Sequence, residues 1–500
     1  MDKFIESVQS HDIPLDAFDK FISLIYVPFY YWFENTLPVK SWDAFMPPNI
    51  LHSSFYQALQ DFPILSGRFK VDSSSRGYVE VDRNNLNMPV YTDTDCDVEF
   101  KHLKDTGFKT SLLAENFDDY CGITAASRFG TVSAKLGIFH VRRLKNYSGV
   151  VVFASISHAI VDGYAYSAFI NRWAEISKWM HENPTINESA LPTVTFDHDR
   201  SIHSEYRLDG TDEIDDLLLK TVTNGNVITR FFSSQPIDKC NSLLKLLVPS
   251  ANIPCCRFHV PTSAIESLRE SVQEYAPPGT RYSTNDVLAA LLTMVIGQAT
   301  HQTHIRKQNN LNSRISCAIF GTDNDKPKDT LLSIPVNLRP RTNHPRANIF
   351  VGNLTFARNI AFPRALVQAD ADPENVSAIA TMIRNAMSSM DKRYAGQLNH
   401  MMNSKADMCM RVAVGLNDYK NALTVTNIGK LGLYETDFGA GIPRLVRPTL
   451  RALPNVVVLM PCHPDIGGYE LVITLANDVA NIVVQNKSFM SLVDSHNLDI

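Results

Sequence analysis

Ser157-His158-Ala159-Ile160-Val161-Asp162-Gly163 is the stretch on which the reading of this chain turns. An apolar run of strand-forming residues, Val150-Val151-Val152-Phe153-Ala154, precedes it. Beyond it, Phe169, Trp173, Ile176 and Met180 recur at helical spacing. The pattern predicts a buried strand, a turn closed by Asp162-Gly163, and a helix. His158 then stands at a strand end, where α/β folds hold reacting groups in a crevice. Its ordinary pKa lies near neutrality, so an imidazole there suits proton abstraction from a hydroxyl or amine. Asp162 is placed to orient that ring, or to hold the turn through a distant partner. Gly163 suits a backbone that turns where a side chain would clash. The bland alternative is a hydrogen-bonded structural histidine, and seven residues do not exclude it.

A chain of 500 residues is too long for one small core, so two domains or one duplicated unit are expected. The composition, 44% hydrophobic and 20% charged, is that of a soluble globular protein. A net charge of −5 without a dense Lys/Arg run argues against nucleic acid as a partner. No apolar run reaches the length of a membrane span. Residues 1–6 show no basic segment leading into an apolar core, so the expectation is a cytoplasmic protein without a signal peptide. The eight cysteines are scattered, and adjacent Cys255-Cys256 suit neither a CxxC metal site nor an easy disulfide. Reduced thiols are expected. Metal-ligand spacing, GxGxxG and GxxxxGK[ST] are all missing, so no metal, dinucleotide or P-loop chemistry is indicated.

In chain order, the aromatics between Phe18 and Phe33 read as a buried strand with flanking core residues. Asn49 is expected to cap a helix carrying Leu51, Phe55 and Leu59. Pro63 ends that helix, and Gly67 is expected to permit the turn into the next strand, paired with 77–81. Two further strands are placed at 134–141 and 149–156. The polar, aspartate-rich stretch after His181 reads as a solvated crossover linker. A second lobe opens with a strand at 256–260 and a helix from Thr262. Ser283 and Asp286 fit a capping box ahead of an apolar helix. Further strands are expected at 315–320, at 333–341, from Gly352, and at 422–426, 456–460 and 470–476. Residues 373–411 are helical in character, and the chain ends in a helix or frays.

Taken together and in order, the motifs resemble those of the BAHD acyltransferases of plants and fungi, acyl-coenzyme A-dependent enzymes of the HxxxD superfamily. His158-Ala159-Ile160-Val161-Asp162-Gly163 matches HxxxDG. Phe62-Pro63-Ile64-Leu65-Ser66-Gly67-Arg68 resembles the family's (F/Y)PLAGR segment, and Ser283 to Leu291 resembles STNDVLAAL. Asn337-Leu338-Arg339-Pro340-Arg341 followed by Gly352-Asn353 is similar to NxRxR and GN. Asp437-Phe438-Gly439-Ala440-Gly441 resembles DFGWG, and Gly467-Gly468-Tyr469-Glu470 resembles GGxE. Each motif is short; the ordered set, spanning roughly residues 14–490, is specific.

The resemblance implies an α/β fold of two chloramphenicol-acetyltransferase-like lobes with a channel between them. Residues 1–195 would form the first lobe, 196–225 the crossover and 226–500 the second lobe. It implies His158 as general base, with Asp162 paired to Arg339 and structural. It places Thr426 near the developing oxyanion, and Arg281 and Ser283 on the phosphate side of acyl-CoA, the co-substrate. Ser283 reads first as a plain helix cap. Gly163, Arg339, Asp437 and Gly439 are implied to be structural. A small-molecule acceptor and a monomer are also implied. Two departures stand out. Ala440 replaces the tryptophan of DFGWG. Ile428 stands where members that use aromatic acyl groups often carry tryptophan, which leaves room for aliphatic donors. The rivals share the scaffold. Condensation-type enzymes use a carrier-protein donor and usually read HHxxxDG, where this chain has Ser157. Chloramphenicol-type trimers are much shorter chains. A non-catalytic binding protein would not need the pairing of His158 with Asp162 and Arg339.

Overall fold

The computed structural model describes residues 2–15, 19, 26–38, 40–71, 77–113, 135–185, 191, 193–206, 255–308, 330–342, 344–404, 422–449 and 455–499. The first lobe contains β1 (His11–Pro14), β2 (Tyr26–Glu34), β3 (Arg68–Val71), β4 (Gly77–Val81), β5 (Val90–Cys96), β6 (Gly137–Leu144) and β7 (Gly149–Ser157). The second contains β8 (Cys255–Val260), β9 (Thr330–Asn337), β10 (Thr355–Phe362), β11 (Ala422–Asn427), β12 (Leu445–Pro448), β13 (Val456–Pro461), β14 (Tyr469–Thr474) and β15 (Ser495–Asp499). They form a small sheet β1-β4-β3, a five-stranded sheet β12-β2-β7-β6-β5 and a seven-stranded sheet β10-β9-β11-β13-β14-β8-β15.

β7 lies inside the five-stranded sheet and is buried along its whole length. That is why its sequence is a continuous apolar run rather than an alternation. Beside it, β2 follows a period of two. Phe29, Tyr31 and Phe33 enter the core under the helices, while Tyr26, Tyr30 and Trp32 join a smaller aromatic cluster on the other face. The helices on the first face are α1 (Pro48–Asp61) and α2 (Gly163–Glu182). Leu51, Phe55 and Leu59 of α1 meet Phe169 and Trp173 of α2, and the Trp173 indole donates to the Leu51 carbonyl at 3.1 Å.

In the second lobe, α3 (Thr262–Gln273), α4 (Thr284–Gln308), α5 (Pro373–Ser388) and α6 (Asn477–Val483) cover one face of the large sheet. α4 is apolar around most of its circumference because it is buried among these helices and the sheet.

The two lobes share a core. Val457, Leu459, Leu471 and Ile473 face the second lobe's helices, whereas Val458, Met460 and Val472 pack into the first lobe. Late in the chain, β12 also crosses back and pairs with β2, Leu445 opposite Trp32 and Pro448 opposite Phe29. Leu445–Pro448 therefore belong to the first lobe's sheet, although they lie in the segment assigned to the second. Arg447 of β12 closes the seam, gripping Glu470 of β14 through Nε at 3.0 and 3.1 Å and NH2 at 2.6 Å.

Several local expectations change. Asn49 does not cap α1; the helix starts with Pro48 in its first turn, and the Leu51 amide bonds the Pro47 carbonyl. Gly67 is extended rather than turning, and a Cβ there would stand 2.3 Å from Val79, so close packing requires the glycine. β9 stops at Asn337, and Arg339–Arg341 form a 3₁₀ turn. β10 starts at Thr355, not at Gly352. The helical stretch from Pro373 breaks before Lys392. The end of the described chain is the strand β15 on β8. In the crossover, Asp197 and Asp199 are ion-paired rather than merely solvated, each 3.0 Å from Arg346. The strand expected at 315–320 and residues 207–225 of the crossover lie outside the described residues.

Two buried imidazoles make this fold acid-sensitive. Burial drives His140 and His198 from 6.5 down to about 4. Both are neutral in the fold and take up protons first in the unfolded chain. Their contribution is full above about pH 6.5 and is lost toward pH 4, up to roughly 3 kcal/mol for each. His198→Gln keeps a donor for the Asp61 carbonyl that His198 Nε2 meets at 2.8 Å. Its melting temperature is expected to fall less than the wild type's between those pH values; an unchanged slope contradicts the assignment.

Candidate active site

The chain leaves β7 at Ser157, turns through 158–162 and enters α2 at Gly163. Asp162 caps α2, its Oδ1 accepting from the Ala165 amide at 3.0 Å. Its other oxygen is committed to the second lobe. Oδ2 accepts from Arg339 NH1 at 2.6 Å, from the Leu354 amide at 3.0 Å and from the Thr355 hydroxyl at 3.0 Å. Burial alone would raise the Asp162 carboxyl, but the Arg339 charge and these hydrogen bonds outweigh it and hold it below the usual range. The carboxylate thus stays ionised in a site where it is 1% exposed and Arg339 2%.

Arg339 is itself fully employed. NH2 donates to the Phe350 carbonyl at 3.0 Å and the Gly352 carbonyl at 2.8 Å, and the guanidinium lies 4.3 Å from the Tyr164 ring centre. Asn337 accepts from the Arg339 amide at 3.0 Å, which fixes the turn that presents it. The asparagine and first arginine of the NLRPR segment are therefore one device. Its second arginine, Arg341, turns away to the Met387 and Met390 carbonyls.

With Asp162 so occupied, His158 is left at the strand end against the second lobe's 350–355 loop. Its carbonyl accepts from Asn353 Nδ2 at 2.9 Å. The ring is partly exposed, with Nδ1 buried. Burial lowers its pKa, and the Asp162 charge acts in the opposite direction without cancelling the drop. The imidazole is therefore neutral near pH 7, the form a base requires. Ser157 Oγ accepts from the Ala159 amide at 3.4 Å, so this side chain serves the turn. A Cβ on Gly163 would come within 2.8 Å of a Leu431 methyl, so a side chain there would have to displace Leu431.

Thr426 is partly exposed on β11, opposite Val458 in register. Residues opposite one another in a sheet share a face, so Thr426 lies on the face turned to the first lobe. Asn427, next along, reaches Asn285 at 3.4 Å. Here a cleft of 340 Å³ opens, lined by Ser283, Asn285, Asn337, Arg341, Arg384 and Lys430 among others. His158 is not among the described residues that line it. Ser283 and Asp286 form the expected capping box, the Ser283 amide donating to Asp286 Oδ2 at 2.7 Å and Ser283 Oγ to the same oxygen at 2.8 Å. Arg384 pairs with Asp286. Arg281 is exposed and stands outside the lining. Arg341, Arg384 and Lys430 are the cations that sequence reading missed, because they come from three distant segments.

The Asp437-Phe438-Gly439-Ala440-Gly441 loop is packed against α2. Asp437 Oδ1 accepts from the amides of Gly439, Ala440 and Gly441 at 2.9, 3.1 and 2.9 Å, and Oδ2 meets Lys178 at 2.8 Å. Gly439 has φ +94°, which favours glycine. Phe438 sits edge-on to Trp173 at 4.9 Å.

The two-lobed α/β architecture, with this histidine loop between the lobes, is the fold of the BAHD acyltransferases. The chain matches the Transferase family over residues 5–206 and 314–490 and belongs to that family, that of the BAHD acyltransferases. It is 21% identical to akuammiline synthase 2 of Alstonia scholaris, over 95% of this chain and 90% of that one. It is 24% identical to rosmarinate synthase of Plectranthus scutellarioides, over 87% and 85%. Its fold matches that of F. sporotrichioides TRI101, solved with coenzyme A and T-2, with a TM-score of 0.68 at 14% identity over 98% of this chain and 100% of that one.

Replacing Arg339 by alanine leaves the Asp162 carboxylate buried and unpaired. The expected cost is about 3–5 kcal/mol, read as a fall in denaturation midpoint, together with loss of turnover. Unchanged stability contradicts the pairing.

Proposed function

We propose that this chain moves an acyl group from an acyl-coenzyme A thioester to a hydroxyl or amine of a small specialised-metabolite acceptor, with His158 as general base. The observation that supports this most is the division of labour in one loop. Asp162 is consumed by Arg339, Leu354, Thr355 and the α2 cap, while His158 is neutral and lies between the lobes. Coenzyme A is a co-substrate, and no resident cofactor enters the scheme. The complex of TRI101 with coenzyme A and T-2 supports a small-molecule acceptor.

His158 Nε2 takes the proton of the acceptor as its oxygen or nitrogen attacks the thioester carbonyl. The tetrahedral oxyanion receives a hydrogen bond from the Thr426 hydroxyl. Collapse breaks the C–S bond, and the imidazolium returns the proton to the departing thiolate. Proton and acyl group balance without a protein nucleophile, and holding both substrates in one channel supplies much of the acceleration. The cleft beside Ser283, with Arg341, Arg384 and Lys430 on its wall, suits the phosphates of coenzyme A, and we keep Arg281, exposed two residues before Ser283, as a further contact of that group. Ile428, half-buried against the first lobe, leaves room for aliphatic acyl donors. A cytoplasmic monomer completes the reading. Ser157 bonds its own turn where carrier-protein-dependent relatives hold a second histidine, which supports a free coenzyme A donor.

His158→Ala is expected to fold normally and to keep the thermal stabilisation given by acyl-CoA, about 2.7 kcal/mol at a hundred times its Kd. Its turnover should fall by roughly 10²–10⁴-fold. Normal folding with near wild-type turnover sinks the mechanism. A wild type that no acyl-CoA stabilises sinks the donor assignment.

A further inference from the structure

The helix that leaves the histidine turn carries polar side chains to which the reaction scheme gives no task. Gly163, Ser167 and Asn171 are spaced by four on α2, so they stand in line on one face of it. That face meets the segment that follows β11. Ser167 Oγ donates to the Leu431 carbonyl. Asn171 Nδ2 donates to the Gly432 carbonyl at 3.3 Å, and Asn171 Oδ1 accepts from the Thr436 hydroxyl at 2.7 Å. Thr436 is fully buried, so its hydroxyl relies on that partner. The approach is close. Gly432 has φ +65°, and a Cβ there would stand 3.3 Å from Asn171 Nδ2 and 2.8 Å from the Glu435 carboxylate.

The same segment forms part of the cleft assigned to coenzyme A. Asn427 stands at its start and Lys430 three residues on, and both line the cleft beside Ser283. The second lobe holds the segment from the other side. Asn427 reaches Asn285 at 3.4 Å, and the Ile428 amide donates to the Leu459 carbonyl at 3.1 Å. A Cβ on Gly429 would stand 2.8 Å from the Tyr469 ring. Residues 427–432 are thus suspended between the second lobe, which forms the cleft, and the first-lobe helix that starts at the histidine turn. α2 is the element that references the cleft wall to His158.

We infer that Asn171 is a positioning residue for the coenzyme A cleft. Its bond to the Gly432 carbonyl fixes residues 427–432, and with them the place of Lys430 on the cleft wall. Its bond to Thr436 anchors the chain further along, ahead of the Asp437 loop. A first-lobe side chain that touches no substrate then contributes to co-substrate binding in the second lobe. This rests on the reading of the cleft as the site of the coenzyme A phosphates.

The test is calorimetric titration with coenzyme A, set beside thermal melting. Asn171→Ala is expected to raise the Kd for coenzyme A about 5- to 10-fold, the worth of one hydrogen bond. Lys430→Ala is expected to raise it as well, and the double variant to lose little more than the weaker-binding single one, because the amide acts through that lysine. Thr436→Val removes only the other bond of Asn171; it should lower the melting temperature with the Kd within about twofold of wild type. If Asn171→Ala does not fold, Asn171→Ser, too short to hold the Gly432 carbonyl, must still show the raised Kd. A wild-type Kd in the Asn171 variants, while Lys430→Ala binds weakly, overturns the inference and leaves the cleft reading intact. A Kd raised as far by Thr436→Val marks a general loosening and overturns it as well, as do single-variant losses that add in full. A Kd unmoved by Lys430→Ala overturns the cleft reading itself.

Discussion

The pair formed by Asp162 and Arg339 ties together parts of the molecule that are distant in sequence. It caps the helix that follows the histidine turn, anchors the second lobe's 350–355 loop and keeps a carboxylate charged where water does not reach. Such a pair is not an efficient source of stability, since desolvation offsets much of its attraction. Its value lies in geometry. Both carboxylate oxygens of Asp162 are engaged on the scaffold, so the carboxylate is spent on holding the turn rather than on the histidine ring.

The same logic extends to the seam between the lobes. β12 lends an edge to the first sheet, Val458, Met460 and Val472 enter the first lobe's core, and Arg447 grips Glu470 across the join. The Asp437 loop completes the fastening by turning three amides onto one carboxylate and seating Phe438 on Trp173. Phe438 sits edge-on to both Trp173 and Phe33, and Ala440 packs at the margin of the same core. A histidine between two lobes is only as well placed as the lobes are relative to each other, and these contacts determine that placement.

Much of this was legible in the residues, for physical reasons. β7 is buried on both faces, so its run of valines reads as a strand, and α2 has a strict apolar stripe, so it reads as a helix. The link of Asp162 to Arg339 came from the resemblance, since no local pattern joins positions 177 residues apart. What escaped was non-local. β12 has only four residues and gains its identity from β2. β5 alternates weakly, with its middle half-exposed, and lies at the sheet's edge. Arg341, Arg384 and Lys430 become neighbours only when the second lobe folds. The close packing that requires Gly67 comes from Val79 of β4, outside the segment in which the glycine was read.

Asp162 and Arg339 hold the histidine loop as one unit. A double-mutant cycle with Asp162→Ala, Arg339→Ala and the double variant, read by chemical denaturation and by kcat, tests it directly. Strong non-additivity is expected, the double variant losing little more than either single one and a coupling energy above about 1 kcal/mol. Losses that add to within about 0.5 kcal/mol, in stability and in turnover, would contradict it.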